Sequence, residues 1–393
     1  MKKILVNPNF IYIAAFSVPF SVYSLGWSTI YPDLTVNLLL FYLFTFVICF
    51  VLGALVHFTK PFTYRAIKQS SNNSIILLII YILYFLEVIY SRQVPILGVV
   101  SGSFDYGEYS FGIPVLHTFL ISFNTFYTIY LFHQYISTGR KKIIGLFLIA
   151  LFPFILLVTR SSILHVLLGS FFVFLFSRAS LSYRIVIKSM ISVLFVLFMF
   201  GIFGDIRSNS EDSTYIARAS GATDKFLESS VPKQFYWSYL YIASPVANLQ
   251  NNINYTIIPG GNYKDLVLNE FLPTFLTKFI MPPQEKFFYQ INPFLNVGTI
   301  YVYSFSYLRW KGLFLMFFYF IILINVYYYI IVKSDTYKVT GLAVLLNIIV
   351  FANFHNTIAY SVISLQLIYP IIFSTIKHFK NSKAAENIKE NVI

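Results

Sequence analysis

Apolar residues run along the chain in ten long stretches, near 10–27, 35–57, 75–90, 113–136, 143–158, 163–177, 185–203, 312–332, 340–354 and 357–376, with short polar connectors between most of them. A helix crossing the roughly 30 Å hydrocarbon core needs about 20 apolar residues at 1.5 Å rise each. The stretches meet or approach that length, and each predicts a transmembrane helix. Residues 143–177 read almost as one run; a single helix of that length would be about 52 Å long, so the chain is expected to fold back near Thr159, Arg160, Ser161 and Ser162.

The pattern breaks once, between Asp205 and Lys311, where polar, aromatic and proline-bearing chain replaces the apolar runs. The expected division is helices one to seven over 1–204, a large external loop over 205–311, helices eight to ten over 312–376, and a polar tail over 377–393. The predicted fold is an all-α polytopic membrane protein of about ten transmembrane helices with that one large external loop.

Composition agrees. Hydrophobic residues make up 58% and charged ones 11%, with a mean hydropathy of +0.72, whereas soluble domains carry about 25% charged residues. With Met1 inside, 17 of the 28 Lys and Arg fall on cytoplasmic connectors and tails. Long loops are exempt from the positive-inside rule, so both termini are expected in the cytoplasm and the large loop outside. The net charge of +13 therefore reads as an insertion signal, and no basic stripe interleaved with aromatics points to nucleic acid. The start lacks the charged flank, short apolar core and small-residue site of a cleaved signal peptide, so the first helix is expected to be retained.

Motifs exclude more than they assign. Cys49 is the lone cysteine, which rules out a disulfide within the chain and a thiolate metal site. GxxxxGK[ST], HExxH and paired CxxC are all missing, so no metal or nucleotide cofactor is expected, and energy must come with the substrate or from a gradient. Seven helices before the loop and three after it, with no apparent repeat, weigh against a two-repeat transporter.

The polar residues at membrane depth carry the candidate chemistry. Arg160 sits in the fold-back, and an arginine at mid-bilayer costs about 2.5 to 3.5 kcal/mol on insertion scales. A recess binding an anion would justify it; the alternative is that it snorkels to headgroups. Arg207 and Arg218 follow at the start of the loop, and planar guanidinium forks suit diphosphates, so the three arginines could clamp one pyrophosphate. Surface ion pairs with Asp205, Asp212 or Asp224 are the alternative. Of the histidines, His117, His165 and His355 fall on the outer side, and His355, in the short turn Asn353-Phe354-His355-Asn356-Thr357, is the preferred general base. Glu87, near the outer end of the third helix, is the second; a structural pair with Arg92 or Arg160 competes with that role. Asp105 and Glu108 occupy the second outer loop. In the large loop, Tyr215, Tyr236, Trp237, Tyr239, Tyr241, Tyr255, Tyr263 and Tyr289 lie among the amides Gln234, Gln250, Asn251, Asn252 and Asn262, a mixture compatible with sugar faces and hydroxyls. The segment from Leu266 to Ile280 is expected along the outer leaflet surface.

The fold-back Thr159-Arg160-Ser161-Ser162, the Gly204-to-Arg207 mouth of the loop, its exit from Val297-Gly298-Thr299 to Arg309-Trp310-Lys311-Gly312, and the stretch Tyr109-Ser110-Phe111-Gly112-Ile113-Pro114 together resemble the Wzy-type O-antigen or oligosaccharide repeat-unit polymerases. The exit departs from the pattern in lacking an acidic-glycine pair. The resemblance implies a glycosyltransferase-C-like membrane fold at the outer face of the bacterial inner membrane. It implies a metal-independent inverting transfer of a growing glycan from undecaprenyl diphosphate to a hydroxyl of a fresh lipid-linked repeat unit, with a chain-length regulator as partner. Arg160, His355 and Glu87 would then be catalytic, and Arg92, Arg207, Arg218, Arg309, Trp237 and Tyr241 would bind substrate. A lipid-linked glycan ligase, a flippase or other transporter, and a membrane O-acyltransferase are the rival classes.

Overall fold

The structure, a computed structural model, describes residues 4, 6–57, 62–101, 111–178, 182–208, 215–255, 261–280, 286–334 and 336–390. Among these residues every regular element is helical, the one β contact being an isolated bridge between Ser28 and Ala222. Each of the ten apolar stretches falls on a helix: α1 (Pro8–Tyr23), α2 (Val36–His57), α3 (Asn73–Ser91), then, after the short α4 (Pro95–Val100), α5 (Leu116–Thr138), α6 (Lys141–Leu156), α7 (Arg160–Ser177) and α8 (Tyr183–Ser208). The chain continues through α9 (Tyr215–Ala219), α10 (Asp224–Leu227), α11 (Phe235–Asn254), α12 (Tyr263–Leu266) and α13 (Thr274–Thr277) to α14 (Val302–Ile331), α15 (Lys338–Phe351), α16 (Ser361–Ser364) and α17 (Ile368–Glu390).

Six of the helical segments are long and apolar enough to cross a membrane: Val36–Leu55, Asn73–Ser91, Arg160–Ser177, Tyr183–Asp205, Val302–Ile331 and Ser361–Phe379. α2, α3 and α8 turn rows of Leu, Ile, Val and Phe outward, such as Leu43, Val47, Ile82, Phe85, Leu194 and Phe195. Apolar area exposed on that scale needs a lipid solvent, and the chain is an all-helical membrane protein.

The centre is built differently. α15 buries an unbroken run from Val339 to Ile349, because it is enclosed on several sides by α1, α5, α7 and α14. α5 buries Ser122, Asn124, Thr125, Thr128, His133 and Gln134. Their bonds run between helices: Asn124 donates to the Ala150 carbonyl at 3.1 Å, Asn73 to Gln134 at 2.7 Å, and His133 Nδ1 meets Thr340 at 3.0 Å. Interhelical hydrogen bonds of this kind contribute about 0.6 to 2 kcal/mol each in a membrane. The fold-back lies where expected, between the end of α6 at Leu156 and the start of α7 at Arg160, with Val158 at φ 56° making the reversal.

Two boundaries differ from the sequence reading. The predicted loop 205–311 contains a 20-residue helix, α11, which packs against α1, α8 and α14. It approaches α8 closely because Gly201 and Gly204 leave room there: a Cβ on Gly201 would lie 2.0 Å from the Gln234 carbonyl oxygen, and one on Gly204 would lie 2.5 Å from the Trp237 ring. The last long helices begin earlier than 312, because α14 starts at Val302 and bends at Leu308 and Arg309, the latter at φ 54°, ψ −138°. Gly312 lies in the crook of that bend, where a Cβ would lie 1.9 Å from the Ser304 carbonyl oxygen.

The rest of the described residues between 205 and 311 form a cap on one end of the bundle. Phe226, Tyr236, Tyr239 and Leu240 form a small second core against Trp27 and Tyr31 of the α1–α2 connector, pinned by a bond from the Thr29 N–H to the Gly221 carbonyl at 2.7 Å. Asn248 and Asn252 on α11 hold the strap 289–297 through the backbone of Tyr289, Ile291, Leu295 and Val297.

Candidate functional site

The cap meets the bundle at the α15–α16 turn through a fully buried carboxylate. Glu270 lies in a π-helical turn, Val267–Phe271, a distortion frequent at functional positions. One of its oxygens accepts from Lys286 Nζ at 2.8 Å and the other from Asn356 Nδ2 at 2.8 Å. Asn356 also donates to the Glu270 carbonyl at 2.8 Å, while Tyr319 donates to the Phe271 carbonyl at 2.6 Å and fixes the turn from α14. Burial raises the Glu270 carboxyl above its ordinary range, and Lys286 and Asn356 pull against that rise.

His355 is the residue before Asn356 in this turn. Its ring stands edge-on to His165 of α7 at 6.4 Å and to Tyr360 at 5.9 Å. Nε2 of His355, both ring nitrogens of His165 and the hydroxyl of Thr357 are buried without a hydrogen-bond partner. Burial pulls the His355 imidazole down to about 4, so it is neutral at physiological pH and holds a proton weakly. The turn thus gathers Glu270, Lys286, Asn356, His355 and His165 from four separate stretches of chain.

A second ionisable pair lies near the C-terminal end of α3. Glu87 is fully buried, and its Oε2 is 2.8 Å from His117 Nδ1, whereas Oε1 has no hydrogen-bond partner. The partner expected for Glu87, Arg92 or Arg160, is therefore replaced by His117. The reason is geometric: Arg92 caps α3 in a left-handed conformation and is exposed, and Arg160 is exposed on the first turn of α7.

The remaining expected residues divide by environment. Arg160 is held on the surface of the fold-back and not in a recess. Arg218 is exposed on α9. Arg207 falls in the last turn of α8, with its side chain outside the described part, as are Asp105, Glu108 and Asp212. Arg309 donates through Nη1 to the Tyr255 carbonyl at 3.1 Å and lies 5.7 Å from the Phe305 ring. A non-glycine residue held at such φ and ψ costs about 1 to 3 kcal/mol, so this bend is a built feature. Trp237 donates to Asp205 at 2.8 Å, which joins α11 to α8, and Tyr241 stands edge-on to Phe200 at 5.2 Å.

The expected sugar platform is largely structural. Tyr236 and Tyr239 are buried, Tyr255 stacks on Tyr289 at 4.1 Å, and Gln250, Asn251 and Asn252 bond Thr35, Asn254 and Tyr289. Tyr215 and Tyr263 are exposed. The Leu266–Ile280 segment is only partly superficial: Phe279 and Ile280 are exposed, while the Thr274 N–H donates to the Ala359 carbonyl at 2.8 Å.

Glu270 and Lys286 escaped sequence reading, because they lie 16 residues apart and the other partner of Glu270, Asn356, is 86 positions from it. Among the described residues no group of three or more His, Cys, Asp or Glu could hold a metal ion. The chain matches no family model, no curated protein and no solved structure. Fold and site define the class: an all-helical membrane protein with a folded cap over one end and ionisable side chains buried beneath it.

Proposed function

We propose that this protein is a glycosyltransferase that polymerises lipid-linked oligosaccharide repeat units at the outer face of a bacterial inner membrane. In this reading all ten long helices cross the membrane in a glycosyltransferase-C-like arrangement, with both termini cytoplasmic. The growing glycan on undecaprenyl diphosphate is the donor, its anomeric carbon is attacked by a hydroxyl of the incoming unit, and the lipid diphosphate leaves. A chain-length regulator is the expected protein partner.

The observation that carries the reading is the cap. The described part of a polar, aromatic segment is folded back onto one end of a lipid-exposed bundle, and buried Glu270 and Glu87 and half-buried His355 collect at that end together with exposed Arg92, Arg160 and Arg218. Intramembrane ionisable groups mark function by default, and cationic forks at the surface suit a leaving diphosphate. Arg160 adds the N–H donors of the first turn of α7, which favour an anion.

A deletion strain is expected to carry glycans of a single repeat unit. Wild-type protein should restore the ladder, and Arg160→Ala should fail to while remaining in the membrane. Arg160→Lys should also be poor, since a point charge lacks the bidentate fork. An unchanged ladder after deletion overturns the polymerase reading, and restoration that depends on a lipid A core acceptor identifies a ligase in its place.

A further inference from the structure

The second ionisable pair has the geometry of an oriented base, and its surroundings are arranged to keep it so. Glu87 is completely buried near the C-terminal end of α3, and with Oε1 unpartnered, its sole bond is from Oε2 to His117 Nδ1 at 2.8 Å. A carboxylate in its ionised form only accepts; opposite that form, a neutral imidazole carries its proton on Nδ1 and keeps the lone pair on Nε2. The His117 side chain is 24% exposed against 0% for Glu87. Among the described residues the ring is hydrogen-bonded through Nδ1 alone, which leaves Nε2 free on a partly exposed side chain.

The chain around His117 shows that the ring position is built. The connector into α5 takes two positive φ values, 91° at Gly112 and 70° at Val115, and the Gly112 N–H donates to Ser91 Oγ, tying the connector to the end of α3 at 2.8 Å. A Cβ on Gly112 would lie 2.5 Å from His117 Nδ1, so only glycine leaves the ring its place beside Glu87. Phe111 closes the other side, edge-on at 5.5 Å. The cap reaches the same helix end: Phe275 stands against Phe119, two residues further along α5, at 5.4 Å.

We infer that His117 Nε2 is the general base that deprotonates the acceptor sugar hydroxyl, and that Glu87 is the positioning residue that fixes its tautomer. This rests on the polymerase reading above. As the acceptor oxygen bonds to the anomeric carbon of the donor, its proton passes to Nε2. The anomeric carbon–oxygen bond breaks in the same step, and the lipid diphosphate leaves with the electron pair. The imidazolium formed is stabilised by Glu87 and later loses its proton to solvent. His355 suits this task less well, because its free nitrogen is buried and its proton affinity is low. Exposed apolar residues on α3, including Phe85, Leu86 and Ile89, put this end of the helix next to lipid, where a lipid-linked acceptor can arrive laterally.

The test is single-turnover and steady-state elongation by the purified full-length protein, with a synthetic undecaprenyl-diphosphate-linked repeat unit as both substrates. His117→Ala should lower kcat by about 10² to 10⁴-fold, the usual share of a general base, with KM little changed and with activity partly restored by added imidazole. Glu87→Gln should lower kcat with KM kept, and the double variant should lose no more than His117→Ala alone. A positioning role is distinguished from a packing role by the rescue: imidazole restores His117→Ala and leaves Glu87→Gln unchanged. Wild-type rates in His117→Ala, or a loss that imidazole does not restore in a protein with unchanged thermal stability, overturn the inference. Inactive wild-type protein, in an assay where membranes from the parent strain elongate the same substrate, counts against the polymerase reading itself.

Discussion

Lys286 is the only charged partner of a fully buried carboxylate among the described residues, and this asymmetry sets what its loss would do. Replacing one member of a buried pair leaves the other charge uncompensated, at about 3 to 5 kcal/mol, whereas replacing both is often close to neutral. Lys286→Met should therefore lower the unfolding temperature in detergent, and adding Glu270→Gln should recover most of the loss, since Gln can still bond Asn356. Equal destabilisation by the single and double variants would mean that the pair is not what holds the cap. Acidity separates the two neighbours. The Glu270 carboxyl is raised in the folded state, so its protonation favours folding, and that contribution fades as pH rises through the acid range. His355 is lowered from 6.5 to about 4, so between those values the unfolded chain binds the proton that the folded one refuses. Its contribution to stability is complete above about 6.5 and is lost as pH falls towards about 4. Thermal unfolding between pH 7 and pH 4.5 should fall less steeply for His355→Gln than for wild type; parallel slopes would remove His355 as the cause.

The six helices long and apolar enough to cross a membrane were legible because a lipid-facing helix is written as an uninterrupted apolar run. α11 was not legible. Its sequence carries Ser238, Ser244, Pro245 and five C-terminal-half amides, Asn248, Gln250, Asn251, Asn252 and Asn254, and it is buried by α1, α8 and the strap, a tertiary fact that no run length records. The early start of α14 was hidden for a related reason: the chain bends at Leu308 and Arg309, where neither proline nor glycine advertises it. Gly204 shows the converse, a residue noticed for another reason. It was grouped with Arg207 as the mouth of the loop, and its place under the Trp237 ring gives it a packing role between α8 and α11. Gly201, one turn earlier, is the stricter case, with a Cβ meeting a backbone oxygen at 2.0 Å. Gly201→Val should cost about 1 to 3 kcal/mol by overpacking and loosen the cap. The readout is faster proteolysis within the cap in native membranes, with α14 to α17 still protected. Unchanged cleavage kinetics would show that α11 is held by other contacts.

At the scale of the molecule, the structure groups helix ends and the charge pattern assigns them a side. The cap binds the α1–α2 connector through Thr29 and Gly221, and the α15–α16 turn through Glu270 and Asn356, so these connectors share one end of the bundle. Exposed Arg140, Lys141 and Lys142 lie at the start of α6, which an antiparallel succession of helices puts at the opposite end. In the proposed orientation a cytoplasmic excess of Lys and Arg in short connectors puts the capped end outside, where Arg160 and His117 would meet a lipid-linked substrate. Cysteine labelling separates the two orientations cleanly, because Cys49 is fully buried and Cys49→Ala supplies a silent background. In intact or outer-permeabilised cells, an impermeant maleimide should label Ser230→Cys, on the exposed surface of the cap, and should leave Ser71→Cys, exposed ahead of α3, unlabelled until the inner membrane is opened. The reverse pattern would put the cap in the cytoplasm. Every role proposed for it would then fall together, since a lipid diphosphate presented on the outer face could not reach any of these side chains.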